Sequence, residues 1–130
     1  MLIRQTWRDL RTLAQLARPS RRSGSLAQRL EDFYRGQADD YDAFRQRLLP
    51  GRLELIESLP LAPGAVWIDL GGGTAHNLVH AGPALASLRQ VYIVDLTPSL
   101  LTIARQRCRE QGWTNVTLIE GDATDVRLPS

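Results

Sequence analysis

The sequence runs to 130 residues, with 43% hydrophobic and 23% charged side chains and a formal net charge of +2. That composition allows one domain of ordinary globular type and excludes a wholly disordered or fibrous chain. A lone cysteine, Cys108, excludes an intramolecular disulfide, and no apolar run reaches the ~18 residues of a membrane span, so a reducing, cytoplasmic setting is expected.

The charge is unevenly spread. Residues 1–30 hold seven Arg against one acid, Asp9, for a net of +6, while the remainder carries −4. The basic character therefore belongs to the leader and not to the body. Within the leader, Ile3, Trp7, Leu10, Ala14 and Ala17 follow helical spacing. Arg4, Arg8, Arg11 and Arg18 fall in a strip of roughly 80° beside that face, which predicts a basic amphipathic helix over 2–17. Pro19 and the SRRSGS stretch read as a linker, so residues 1–24 form a first segment. Such a helix has three uses: docking on its own body, lying on an anionic membrane surface, or addressing the chain to an organelle. No nucleic-acid partner is expected.

Ser25 is a natural N-cap for a second helical region, LAQRLEDFYRGQADDYDAFRQRLLPGR. Leu26, Leu30, Phe33, Tyr41, Phe44 and Leu48 lie close to one helical stripe, interrupted at Gly36 and stopped by Pro50 and Gly51. A short helix from about Leu53 to Leu59 completes a helical cap over residues 25–62.

From Ala65 the pattern changes, and residues 63–130 read as alternating strands and helices. VWIDL is an unbroken apolar run ending in an acid, as expected of a parallel strand covered on both faces. A helix is predicted from near Thr74 to a break at Gly82 and Pro83. VYIVDL is a second strand, and TPSLLTIARQRCREQG a helix with Thr97 as N-cap, Pro98 at its first position and Gly112 past its end. NVTLIEGDA is a third strand. The order βαβαβ predicts an α/β fold with a parallel, Rossmann-like sheet.

In such sheets ligands sit beyond the carboxyl ends of the strands. The first strand ends at Asp69 and leads into Gly71, Gly72 and Gly73; the second ends at Asp95 and Leu96; the third leads into Gly121, Asp122 and Ala123. Glycines at 71 and 73 permit a tight turn and close approach of a ligand, and the following helix offers free amides. An acid closing the second strand, twenty-two residues past Gly73, suits the two hydroxyls of a ribose. A dinucleotide fingerprint read from Gly71 requires a third glycine where this chain has His76. An acid at Asp69, just before the loop, is awkward beside a pyrophosphate but suits a cationic amine, as found in S-adenosylmethionine.

At these residues the chain resembles the class I S-adenosylmethionine-dependent methyltransferases: DLGGGTA is similar to their first motif, VDL to their ribose-binding strand end, and EGDA to the segment that holds adenine. The resemblance implies S-adenosylmethionine as cofactor, with Asp95 on the ribose hydroxyls and Asp122 and Ala123 on the adenine. It places Gly71 to Gly73 at the methionine end. Where the family commonly has a third glycine, this chain has Ala75. A narrower likeness, carried by FYRGQADDYDAFRQRLLPGR, WIDLGGGTAHNL and VDLTPSLLTIAR over residues 33–128, is to the methyltransferase part of betaine-lipid synthases. That likeness implies a lipid-headgroup amine, such as that of diacylglyceryl homoserine, as methyl acceptor.

On that reading Tyr41 is the candidate to pack against the sulfonium, because its ring face attracts cations. Arg45 or Arg52 is the candidate for the cofactor carboxylate. No catalytic acid or base stands out. His76 and His80 have metal-pair spacing without an evident third ligand, so no metal is expected. Cys108 and Trp67 read most simply as packing, whereas Tyr41 and Tyr34 read equally as core or as site. The rivals are a nicotinamide-dependent oxidoreductase and a non-catalytic module that needs a complementing chain. Since only three strands are legible, the chain is expected to be the truncated cofactor-binding half of a methyltransferase, peripheral on the inner membrane face and incomplete as a catalyst.

Overall fold

A computed structural model of the chain describes residues 24–36 and 38–129, together with Leu10 and Ala14. Those two leader residues are helical and exposed; the rest of the predicted leader helix lies outside the described residues.

Helix α1 spans Leu26–Arg35 and opens with a reciprocal cap: the Gln28 amide donates to Ser25 Oγ at 3.2 Å, and the Ser25 amide donates to Gln28 Oε1 at 2.9 Å. It ends at Gly36, where the sequence places its interruption, and α2 follows over Ala38–Leu48. The apolar stripe is narrower than its letters suggest. Phe44 is buried, whereas Leu26 and Leu48 at its ends are exposed. Gly51 turns the chain with φ of 89°, and α3 runs over Arg52–Glu57, slightly ahead of its predicted start.

Strands β1 (Val66–Leu70), β2 (Gln90–Asp95) and β3 (Val116–Glu120) form one parallel sheet in the order β1-β2-β3. Leu70 pairs with Val94, and Asp95 pairs with Glu120. The ladder continues past the strands, since Gly71 donates its amide to Val94 O at 2.7 Å and Gly121 donates to Asp95 O at 3.0 Å. These bonds bring Gly71, Asp95 and Gly121 side by side at one edge. Expected coverage on both faces holds for β2, whose Val91, Ile93 and Val94 have no exposed surface, and fails for β1. Val66, Ile68 and Leu70 are 38%, 43% and 57% exposed, so this face of β1 is only partly covered among the described residues. Trp67, on the opposite face, packs against the core.

Helix α4 covers His76–Ala81, two residues later than predicted. The delay comes from Gly73 (φ 54°) and Ala75 (φ 60°), both left-handed, which keep the backbone out of the helix until His76. A left-handed alanine costs about 1–2 kcal/mol, so the methyl at the motif's third small position is strained although wholly buried. After Gly82 and Pro83 a short helix, α5 (Ala84–Ser87), appears where the sequence shows only a break. Helix α6 spans Pro98–Gln111 and closes on left-handed Gly112, with Trp113 N donating to Cys108 O and Gly112 N to Arg109 O. Its start differs from expectation. Thr97 stands at the cap position, but its side chain makes no capping bond; the carboxylate of Glu31 on α1 accepts the Ser99 amide at 3.0 Å instead, and the Ser99 hydroxyl as well.

Candidate functional site

A cavity of about 270 Å³ lies at the carboxyl ends of the strands, roofed by α1 and α2. Leu30, Tyr34, Tyr41 and Arg45 line it from the helices; Gly71, Asp95, Leu96, Thr97, Gly121, Asp122 and Ala123 line it from the strand tips. Larger hollows beside α6 and β3 and beside α1, of about 520 and 440 Å³, do not gather these acids.

Asp95 sits in the floor with both oxygens engaged: Oδ2 accepts the Gly73 amide at 2.9 Å and Oδ1 the Thr97 amide at 2.8 Å. Each oxygen keeps a second lone pair for a hydroxyl donor. Asp122 stands exposed at the rim, where Oδ1 accepts from the Thr124 amide (2.8 Å) and hydroxyl (2.6 Å), and those bonds hold its carboxyl below the usual range. Leu96 and Ala123 lie beside them. Of the site residues named from the sequence, Tyr41, Arg45, Gly71, Asp95, Leu96, Gly121, Asp122 and Ala123 thus share this cavity, while Arg52, Asp69, Gly72 and Gly73 lie outside its lining.

Asp69, Gly72 and Gly73 adjoin that lining, Gly73 through its bond to Asp95. A Cβ on Gly72 would stand 2.9 Å from Ile93 Cγ2 and 3.0 Å from the Asp69 carboxylate, so this glycine is needed for close packing of the loop on the sheet. Asp69 turns toward α4, accepting from Asn77 Nδ2 at 3.0 Å. Burial, chiefly, pushes its carboxyl up, and the Asn77 bond and nearby Arg52 only partly oppose that. Arg52 donates from Nε to Asn77 Oδ1 at 2.6 Å, and its Nη1 is buried without a hydrogen-bond partner among the described residues.

On the helical side, burial pushes the Tyr41 phenol up to about 12, so it stays protonated at neutral pH. The Arg45 guanidinium lies 5.4 Å from the Tyr41 ring centroid, and Tyr34 meets the same ring edge-on at 5.3 Å. Tyr34 therefore also walls the cavity.

A polar cluster absent from the sequence reading ties α2 to the glycine loop. Asp42 accepts from the Thr74 hydroxyl and, at 2.6 Å, from Arg107 Nη2, while Arg107 also donates to Thr74 O. His76 Nδ1 lies 3.6 Å from Asp42, and its ring meets His80 edge-on at 5.0 Å. Burial is the largest influence on His76 and pushes its pKa down, against the pull of Asp42. No residue spacing signals this cluster; its only trace in the sequence is the density of acids around Tyr41.

The family model described as a methyltransferase domain matches residues 68–130. A probable cobalt-precorrin-6B C(15)-methyltransferase (decarboxylating) of Sulfolobus acidocaldarius is 30% identical over 92 residues, covering 67% of this chain and 48% of that protein. A demethylmenaquinone methyltransferase of Anoxybacillus flavithermus is 23% identical over 110 residues, covering 81% and 46%. The chain thus spans just under half the length of the curated relatives it matches. Among solved structures, a SAM dependent methyltransferase from Aquifex aeolicus superposes with a TM-score of 0.55 at 19% identity, over 73% of this chain and 50% of that one, which shows the shared fold. Among the described residues no helix is long and apolar enough to cross a membrane. Residues 68–130 therefore match part of a methyltransferase domain, on a fold shared with known methyltransferases.

Proposed function

We propose that the cavity binds S-adenosylmethionine and that the chain is the cofactor-binding portion of a methyltransferase acting on the amine of a lipid headgroup, of the betaine-lipid type. The observation that carries the cofactor reading is the convergence of Gly71, Asp95 and Asp122 from three neighbouring strand tips on one cavity beneath Tyr41 and Arg45. In this reading Asp95 takes the ribose hydroxyls with its remaining lone pairs, and Asp122 with the Ala123 amide takes the adenine edge. Asp69 attracts the amine of the methionine end across the glycine loop, and Arg45 or Arg52 takes its carboxylate; both guanidinium groups have a buried nitrogen lacking a partner among the described residues.

The bound cofactor would supply an activated methyl group. The chain's own contribution is alignment and exclusion of water. Tyr41 has a ring that already accommodates one cation, and the same electrostatics favours a sulfonium nearby. As a protonated phenol it contributes its ring and a hydroxyl donor, and no base. The lipid acceptor rests on the likeness of residues 33–128 to betaine-lipid synthases and on the basic leader, which is suited to an anionic surface. Methyl transfer by the whole enzyme would involve residues outside this chain, whether in the same polypeptide or a complementing one.

Calorimetry tests the cofactor reading. S-adenosylhomocysteine is expected to bind and NADH not to, and Asp95→Ala is expected to weaken binding by about tenfold or more, since it removes a charged acceptor for two hydroxyls. Binding of NADH with no response to S-adenosylhomocysteine would reverse the assignment.

A further inference from the structure

Asp42 follows Tyr41 in α2 but serves a different side of the helix. Tyr41 and Arg45 stand one turn apart on one face, and both line the cavity. Asp42, about 100° round from Tyr41, leaves that face and meets the glycine loop and α6. Its Oδ1 accepts from the Thr74 hydroxyl at 2.5 Å, and its Oδ2 accepts from Arg107 Nη2 at 2.6 Å. Arg107 closes the triangle by donating through Nη1 to Thr74 O. Both partners are anchored: Thr74 is 2% exposed, and Arg107 belongs to α6, whose Leu100, Leu101 and Ala104 are buried.

The same stretch of loop reaches the cavity floor. Gly73, the residue before Thr74, donates its amide to Asp95 Oδ2 at 2.9 Å. Consecutive loop residues therefore bond the acid in the floor and the acid on the roof helix, so the spacing between Asp95 and α2 is carried through Gly73 and Thr74. A carboxylate held by two donors from two elements sets both the height and the rotation of the helix that bears it. Rotation decides what the cavity meets, since a turn of about 100° would take Tyr41 and Arg45 off its wall. Arg45 also keeps a donor in hand, because its Nε is buried with no hydrogen-bond partner among the described residues.

We propose that Asp42 is a positioning residue that holds Tyr41 and Arg45 over the part of the cofactor beyond its adenosine. The inference rests on the assignment of the cavity to S-adenosylmethionine and adds the side chain that fixes the roof above it. Asp42 does not line the cavity and acts through Tyr41 and Arg45.

Calorimetry on the full chain compares two probes, S-adenosylhomocysteine and adenosine, of which adenosine lacks the sulfur and the amino-acid end. Asp42→Asn keeps the shape and an acceptor for Thr74 but removes the charge that holds Arg107. It is expected to weaken S-adenosylhomocysteine by about tenfold and adenosine by less than about twofold. In a chain that already carries Tyr41→Ala and Arg45→Ala, the same change should cost less than about twofold for either probe, because the groups it positions are gone. Glu31→Gln, which cuts a tie of α1 instead, should leave the ratio of the two affinities unchanged. Should Asp42→Asn fail to fold, Arg107→Gln takes its place with the same selective loss expected, since Asp42 then keeps only its bond from Thr74. Equal losses for both probes, no loss for either, a full loss that persists without Tyr41 and Arg45, or a matching shift of the ratio in Glu31→Gln would each overturn the role of Asp42 and leave the cofactor assignment intact. If the unaltered chain does not bind S-adenosylhomocysteine, the cofactor assignment falls and this inference falls with it.

Discussion

Between Ala75 and Ala104, eight buried residues from the glycine loop, α4, α5, β2 and α6 make one apolar cluster, including Leu78, Leu85, Val91, Ile93 and Leu101. Helices α1 to α3 contribute no member to it; their buried apolar residues are Phe44 and Ile56. Polar bonds join those helices to α4, α6 and the glycine loop: Glu31 to Ser99, Asp42 to Thr74 and Arg107, and Arg52 to Asn77. Apolar burial is non-directional and tolerant of small shifts, whereas each of these bonds depends on one geometry and on the charge of its partners. The floor of the cavity is thus held mainly by packing, while bonds of defined geometry add to the hold on its roof.

The contrast can be broken from either side. Ile93→Ala, in the floor, is expected to cost about 3 kcal/mol in denaturant unfolding, because it empties a site with no exposed surface. A cost under about 1 kcal/mol would mean that the sheet is not the centre of the core. Asp42→Ala, at the roof, should cost less, about 2 kcal/mol, and in a different way. Arg107 would lose its carboxylate and Thr74 its acceptor, so limited proteolysis of α1 and α2 should speed up while the strands stay protected. Uniform loss of protection would show that roof and floor open together.

The smallest effect sharpens the comparison by pH. At Glu31 burial, the largest single influence, raises the carboxyl, but the Ser99 bonds and Arg35 together outweigh it and hold the net value below the ordinary 4.5. A carboxyl depressed on folding contributes stability that is complete above its unfolded pKa and is lost as pH falls through the folded value. Hydrogen exchange at the Ser99 amide should therefore quicken in acid, below the usual carboxylate range, ahead of the β2 amides. Glu31→Gln should remove most of that dependence at a cost of about 1 kcal/mol at neutral pH. An unchanged acid response in the variant would place the sensitivity elsewhere.

The same contrast explains what could be read without coordinates. VYIVDL announces a buried parallel strand because both faces of β2 are covered, and TPSLL to Gly112 announces a helix because its start and stop residues are local. The acid at Asp95 is visible because a strand end fixes its place. Asp42 and Arg107 are sixty-five residues apart, and Glu31 and Ser99 sixty-eight; a bond between two polar side chains leaves no period in the sequence, so these contacts were illegible. VWIDL misleads in the other direction, since its apolar letters do not say whether a neighbour covers them. Ala75 misleads most quietly. Alanine is the best of helix formers, yet here the loop holds it left-handed and delays α4 by two residues.

The half-covered side of β1 has a practical consequence for handling the chain. Three half-exposed apolar side chains beside a strand edge that is unpaired among the described residues invite a second molecule to add its own strand, and that tendency grows with concentration. Light scattering should therefore rise steeply as preparations are made more concentrated, and charge placed at Ile68 should improve solubility without disturbing the opposite, packed face.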